Sequence, residues 1–177
     1  IAVFDSGVGG LTVHAEIARL LPAELIYVGD TAVFPYGRLP ERELVDRVSA
    51  VIGEVIARHA PDIVVIACNT ASTLALPVLR TQFAIPFVGT VPAIKPAAVE
   101  SRSRFISVLA TPGTVARDYT RELVSEHAKG CDVTLVGSTR LASYAEAELN
   151  GEPVSDADIL AEIGDAFVEN GGTRTDT

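Results

Sequence analysis

The sequence has little of several features that would assign it to a specialised class of protein. It contains only two cysteines, Cys68 and Cys131, in a chain long enough to bury a large core. A disulfide framework is therefore neither needed nor indicated, and both thiols are expected to be reduced. No apolar run approaches the roughly 18 residues that a membrane span needs, and no signal-peptide pattern begins the chain. These absences predict a soluble, cytoplasmic protein that does not bind membranes.

Positive charge is also scarce. The 14 lysines and arginines are outnumbered by 23 aspartates and glutamates, which gives a formal net charge of -9. Without a basic cluster, a surface of that sign repels nucleic acid backbones, so nucleic acid is not expected as a direct ligand. Methionine is absent even at the first position, and Ile1 already belongs to an apolar run, so both ends of the chain look cut.

What the sequence does contain is an alternation of strand-like apolar runs and amphipathic helices. The clearest helix follows Pro40, with apolar residues at three- and four-residue steps and a solvated face that includes Arg47 and Arg58. This alternation is typical of an α/β fold with doubly wound parallel sheets. The predicted strands cover residues 1–4, 25–28, 63–67, 86–88, 105–109 and 133–136.

The pattern is interrupted once, at VGTVPAIKP, residues 88–96, where two prolines and a glycine precede its restart. We place a domain boundary there, with an N-terminal α/β half at residues 1–91 and an incomplete second half at residues 92–177. IAVFDSGVGG and FISVLATPGT each combine an apolar strand, a turn with a small hydroxyl residue, and a glycine before a helix. We therefore expect two similar halves.

Cys68 lies where a β-branched run ends and helix-capping residues begin. The preceding run predicts a strand covered on both faces, and Asn69 and Thr70 indicate the start of a helix. Partial positive charge at a helix start favours a thiolate, so Cys68 is a candidate reactive residue. The alternative is a small buried structural residue, because free cysteines are among the most buried residue types. For Cys131, which begins a strand without a capping signal, the structural interpretation is preferred.

The glycine-rich segment FDSGVGG, residues 4–10, places Asp5 and Ser6 at the end of the first strand. Its glycines allow backbone N–H groups to approach a carboxylate ligand closely. The alternative is a tight turn in which Asp5 caps a helix. The spacing matches neither a dinucleotide fingerprint nor a phosphate-binding loop, and the three histidines share no metal-ligand spacing, so we expect no cofactor and no metal.

GDTAVFPYG, residues 29–37, follows the second strand and carries Asp30, Tyr36 and Gly37. In open α/β sheets the loops after the strands bind ligands, so this segment is expected at the same sheet edge as Asp5 and Cys68. The alternative is that Tyr36 is an amphipathic side chain that covers the core.

Together, FDSGVGGLT, GDTAVFPYG, IACNTAS and VGTVPAIKP, in this order and at these spacings, resemble the glutamate racemases of the cofactor-independent aspartate/glutamate racemase superfamily. The similarity covers essentially the whole chain. It implies an isomerase that interconverts L- and D-glutamate and supplies D-glutamate for peptidoglycan, and hence for cell wall biogenesis and cell shape. It also implies glutamate as the small-molecule partner, an active site in the cleft between the halves, and a homodimer as the candidate assembly.

The resemblance assigns roles to residues that the motifs contain. It makes Cys68 a catalytic residue, with Asp5 assisting the cysteine or the substrate ammonium group. Removing an α-proton without pyridoxal or metal requires preorganised hydrogen bonds, and inversion requires an acid and a base on opposite faces, which two cysteines can provide. The substrate-binding positions that it implies are Asp5, Ser6, Tyr36, Gly37, Asn69, Thr70, Thr111 and Thr114.

One feature of the family is missing from this sequence. The family's second cysteine lies in a Cys-Thr-His motif that does not occur here, and the chain stops at GGTRTDT, where a strand leading to that motif is expected. We therefore expect this sequence to be a fragment that is inactive by itself. A racemase acting on aspartate, and a non-catalytic module that binds an acidic ligand, are the alternatives that the residues leave open.

Overall fold

The computed structural model describes residues 1–177, which form two compact units, Ile1–Val91 and Pro92–Thr177. Every one of the six predicted strands is present, each within one residue of its predicted ends. The α/β class with parallel strands is thereby confirmed. None of the helices combines the length and the apolar content that crossing a membrane requires.

The first unit is a four-stranded parallel sheet flanked by helices. Its strands, in the spatial order β2-β1-β3-β4, are β1 (Ala2–Asp5), β2 (Ile26–Gly29), β3 (Val64–Ile66) and β4 (Phe87–Gly89). Its helices are α1 (Leu11–Leu20), α2 (Glu41–His59), α3 (Asn69–Leu74) and α4 (Leu76–Gln82), with short 3₁₀ turns at Thr31–Val33 and Tyr36–Arg38.

Side chains of β1 and β3 alternate between two apolar layers, as the pleat of a strand requires. Phe4 and Ile66 face the layer that α2, α3 and α4 cover, whereas Val3 and Val65 face α1. Both strands are buried on both faces, which explains their unalternating apolar sequences. Burying each large apolar side chain contributes about 1.5–3 kcal/mol to the stability of the fold.

The order of the strands creates a switch in winding between β1 and β3. From β1 the chain passes through α1 to β2 on one side, and α2 then carries it back to β3 on the other side, where α3 and α4 lead on to β4. Connections that leave two neighbouring strands in opposite directions open a crevice at their C-terminal ends, which is where ligands bind in such sheets. Asp5 ends β1 and Cys68 follows β3 at this edge.

The second unit contains a two-stranded parallel sheet of β5 (Phe105–Ala110) and β6 (Asp132–Gly137). Its last residues run beside β5, since the Ser107 N–H donates to the Thr177 carbonyl oxygen at 2.9 Å. The unit also contains a short antiparallel hairpin of β7 (Glu169–Asn170) and β8 (Thr173–Arg174), which the apolar runs of the sequence did not predict. The helices of the second unit are α5 (Ile94–Glu100), α6 (Pro112–Val115), α7 (Asp118–His127), α8 (Leu141–Leu149) and α9 (Asp156–Ile163).

Candidate functional site

Three of the predicted site residues meet at the edge between β1 and β3. Asp5, Ser6 and Cys68 are each less than a tenth exposed, and the Ser6 hydroxyl lies 3.5 Å from the Cys68 sulfur. The contact joins residues far apart in sequence, and the parallel register of β1 with β3 creates it. The fold therefore brings a buried thiol and a buried carboxylate to the same edge of the sheet.

The glycine-rich loop wraps around the Asp5 carboxylate. One oxygen, Oδ2, accepts hydrogen bonds from the backbone N–H groups of Gly7, at 3.2 Å, and Gly10, at 3.0 Å. A Cβ on Gly10 would lie 2.7 Å from the Cβ of Asp5 and 3.0 Å from that of Ala67, so this position has no room for a side chain. At Gly9 the nearest atom to an added Cβ would be an Asp5 oxygen at 3.8 Å, an ordinary contact. Gly10 therefore allows the start of α1 to approach Asp5 closely.

Cys68 occupies the N-cap position of α3, and its sulfur accepts a hydrogen bond from the Ala71 N–H at 3.5 Å. The local structure matches the prediction, but the net effect on acidity does not. Burial raises the pKa of the Cys68 thiol, and the negative charge of Asp5 adds to this, while hydrogen bonds from Ser6 and Ala71 lower it only in part. The expectation of a favoured thiolate is wrong in its net direction, because desolvation outweighs the capping N–H group.

Because the pKa of Cys68 is raised, its thiol should become reactive only at high pH. We expect the alkylation rate of Cys68 by iodoacetamide, followed by peptide mass spectrometry, to reach half its maximum above the ordinary thiol pKa of about 8.5. Because the Ser6 hydroxyl lowers this pKa, Ser6→Ala should move the midpoint to still higher pH. Ser125→Ala, at an exposed hydroxyl of the second unit, is the control that should not move it. A midpoint below the ordinary thiol pKa of about 8.5 would contradict the structure.

Tyr36 points into the core and forms a polar cluster with the buried Asp30 and with Arg47, whose side chain is 41% exposed. Its hydroxyl donates to Asp30 Oδ2 at 2.5 Å, and the Arg47 guanidinium donates to both oxygens of Asp30 at 2.7 and 2.6 Å. Burial and the bond to Asp30 raise the pKa of Tyr36, and the bonds from Arg47 hold the pKa of Asp30 below its ordinary value. Arg47 is exposed, as predicted for the solvated face of α2, but the sequence did not predict its ion pair with Asp30.

The remaining predicted positions divide between the two units. Asn69 is exposed and Thr70 is buried at the start of α3, and Gly37 is half-buried next to Tyr36. Thr111 and Thr114 belong to the second unit, where they follow β5 and their hydroxyls lie 3.0 Å apart. No group of three or more His, Cys, Asp or Glu side chains is placed so that it could hold a metal ion.

Comparison with known proteins gives one consistent result. The profile of the Asp/Glu/hydantoin racemase family matches residues 9–175. A glutamate racemase of Brucella ovis is 52% identical over 99% of this chain, and this chain spans 64% of that relative.

Solved structures agree with this result. The Escherichia coli glutamate racemase, crystallised with L-glutamate and the activator UDP-MurNAc-ala, is 43% identical with a TM-score of 0.89, over 98% of this chain and 66% of its own. The glutamate racemase of Aquifex pyrophilus is 32% identical with a TM-score of 0.72, over 92% of this chain and 64% of its own.

Proposed function

Because this chain belongs to the Asp/Glu/hydantoin racemase family, we propose that the full-length protein containing it is a glutamate racemase. It interconverts L- and D-glutamate without a cofactor and supplies D-glutamate for peptidoglycan in the cytoplasm. The observation that carries the proposal is the contact of Ser6 with Cys68 beside the buried Asp5 carboxylate, at the switch between β1 and β3. The identity to proteins named glutamate racemase supports glutamate as the substrate.

In the proposed reaction Cys68 takes the α-proton of D-glutamate. The sulfur forms the new S–H bond, the electron pair of the broken C–H bond moves onto the α-carbon and its carboxylate, and a second thiol protonates the opposite face. The family resemblance implies that a Cys-Thr-His motif supplies this second thiol. Because no cofactor shares the negative charge, hydrogen bonds to the α-carboxylate must stabilise it, and these act most strongly when they are fixed in advance.

The reaction requires a thiolate, although burial and Asp5 favour the thiol. The Ala71 N–H already donates to the sulfur, and the Ser6 hydroxyl, which lies 3.5 Å away, can donate to a thiolate, so both can stabilise its negative charge. In the proposal the substrate ammonium group binds near Asp5 and offsets the charge that opposes ionisation. Substrate binding thereby lowers the pKa of Cys68 at the moment when a base is needed.

The proposed binding positions differ in what they offer to glutamate. Because the Tyr36 hydroxyl is held by Asp30, Tyr36 contributes through its backbone, together with Gly37. Asn69 presents an exposed amide at the start of α3. Thr111 and Thr114 are the hydroxyl positions proposed for the second unit.

The test is racemisation by the full-length protein in D₂O, started from either enantiomer of glutamate. Two opposed thiols should place deuterium at the α-carbon of newly formed product, while unreacted starting enantiomer at first keeps its proton. A single base would return the abstracted proton or label both enantiomers together. Early deuterium in the recovered starting enantiomer, at the level of the product, would therefore exclude the two-thiol mechanism.

The same assay with aspartate tests the substrate. We expect kcat/KM to be larger for glutamate than for aspartate. If it is larger for aspartate, the protein is an aspartate racemase. Binding of an acidic amino acid without turnover of either one would instead support a non-catalytic module.

A further inference from the structure

The Asp30 carboxylate is the most fully bonded polar group near the site. Its side chain is 4% exposed, and it accepts both hydrogen bonds of the Arg47 guanidinium and one from Tyr36. The Asp30 N–H also donates to the Asp5 carbonyl oxygen at 2.9 Å. Asp30 thus joins three elements of the chain: the end of β1, the 3₁₀ turn that contains Tyr36, and α2, which carries Arg47.

The hydrogen bonds of the cluster satisfy the charge of the buried Asp30 carboxylate, and Arg47 reaches it from a side chain that is 41% exposed. A buried carboxylate is destabilising unless it is paired with good geometry, and the planar guanidinium matches both carboxylate oxygens at once. The low pKa of Asp30 and the high pKa of Tyr36 keep Asp30 ionised and Tyr36 neutral at working pH. The cluster therefore holds position and does not exchange protons with substrate.

Apolar packing also supports the segment that the cluster contacts, since Tyr36 is buried and Val33 and Leu39 pack against the same core. Between β2 and α2 the chain forms only two 3₁₀ turns, Thr31–Val33 and Tyr36–Arg38, and pairs with no strand. Tyr36 packs beside Phe4 and Cys68 in the core, so its placement sets where Gly37 lies.

We infer that Asp30 and Arg47 are positioning residues that hold the Tyr36–Gly37 segment in the conformation that binds glutamate. This inference rests on the proposed function for the identity of the ligand. It assigns Arg47 a task that acts through Asp30 and Tyr36, without contact between Arg47 and substrate.

The test compares Arg47→Ala and Arg47→Lys in the full-length protein with Arg58→Ala. Arg58 is the matched control because it lies on the same helix and pairs with Glu54 at 2.6 Å, with both side chains more than half exposed. For Arg47→Ala we expect KM for glutamate to rise about tenfold or more with kcat nearly unchanged, since binding is lost equally before and in the transition state. Arg47→Lys keeps the charge but not the fork, so its KM should lie between those of Arg47→Ala and wild type.

A second measurement does not depend on substrate. Hydrogen exchange of the peptide covering residues 31–39 should be faster in Arg47→Ala than in Arg58→Ala and wild type. Unchanged exchange in that peptide would overturn the inference whatever the ligand is, and so would faster exchange with an unchanged KM. A lower kcat with unchanged KM in Arg47→Ala would contradict the inference, because Arg47 would then support the reaction step and not glutamate binding. If wild type does not turn over glutamate, the proposed function fails, and the exchange result alone decides the positioning role.

Discussion

Replacing Cys68 by alanine in the full-length protein should abolish racemisation from both enantiomers. In a two-base reaction each direction uses this thiol once, as base for D-glutamate and as acid for L-glutamate, so neither direction survives its loss. We expect kcat to fall by about 10⁴-fold or more, at the upper end of what one positioned acid or base contributes. Initial rates from L- and D-glutamate, measured separately by polarimetry, give the two directions independently.

Two further variants separate thiol chemistry from packing. Cys68→Ser keeps the shape of the side chain but not its acidity, so it should be nearly as inactive as Cys68→Ala. Cys131→Ala is the matched control, because Cys131 is a half-buried thiol of the second unit near Arg104 and has no proposed role. Melting curves check that each variant folds. Activity in Cys68→Ala above about one per cent of wild type, with a normal melting curve, would remove Cys68 from the mechanism.

The strands of this protein could be predicted because buried strands have recognisable apolar sequences. β1 and β3 lie between two apolar layers, and their β-branched runs are what such strands require. The hairpin of β7 and β8 was missed although Gly171 and Gly172, both with positive φ, provide a turn signal. Each of its strands has only two residues, too few for a pattern to be recognised.

The side-chain chemistry of the site was less accessible from sequence. Arg47 belongs to the polar face of α2, and only the packing of α2 against the sheet brings it to Asp30. The acidity of Cys68 depends on how fully the folded chain buries its sulfur, which a capping motif does not report. Position at a strand end can thus be predicted from local patterns, whereas desolvation and long-range pairing depend on the tertiary fold.

Asp5→Asn should lower racemisation while making Cys68 easier to deprotonate. The negative charge of Asp5 raises the pKa of Cys68, so a neutral amide should move the midpoint of Cys68 alkylation to lower pH. If turnover depended only on the fraction of thiolate, the variant would be faster than wild type. We expect it to be slower by about 10²- to 10⁴-fold, because Asp5 is proposed to hold the substrate ammonium group or to assist proton transfer.

Asp5→Asn should slow turnover although it makes Cys68 easier to deprotonate, and this combination distinguishes a catalytic Asp5 from a structural one. A carboxylate that only anchored the Gly7 and Gly10 N–H groups would leave asparagine able to accept at least one of those bonds, and activity would change little. Asp62→Asn is the matched control, because Asp62 is an exposed aspartate just before β3, at the opposite edge of the same sheet. It should change neither kcat nor the alkylation midpoint. An Asp5→Asn variant with a lowered midpoint and wild-type or higher turnover would show that Asp5 restrains the thiol without taking part in the reaction.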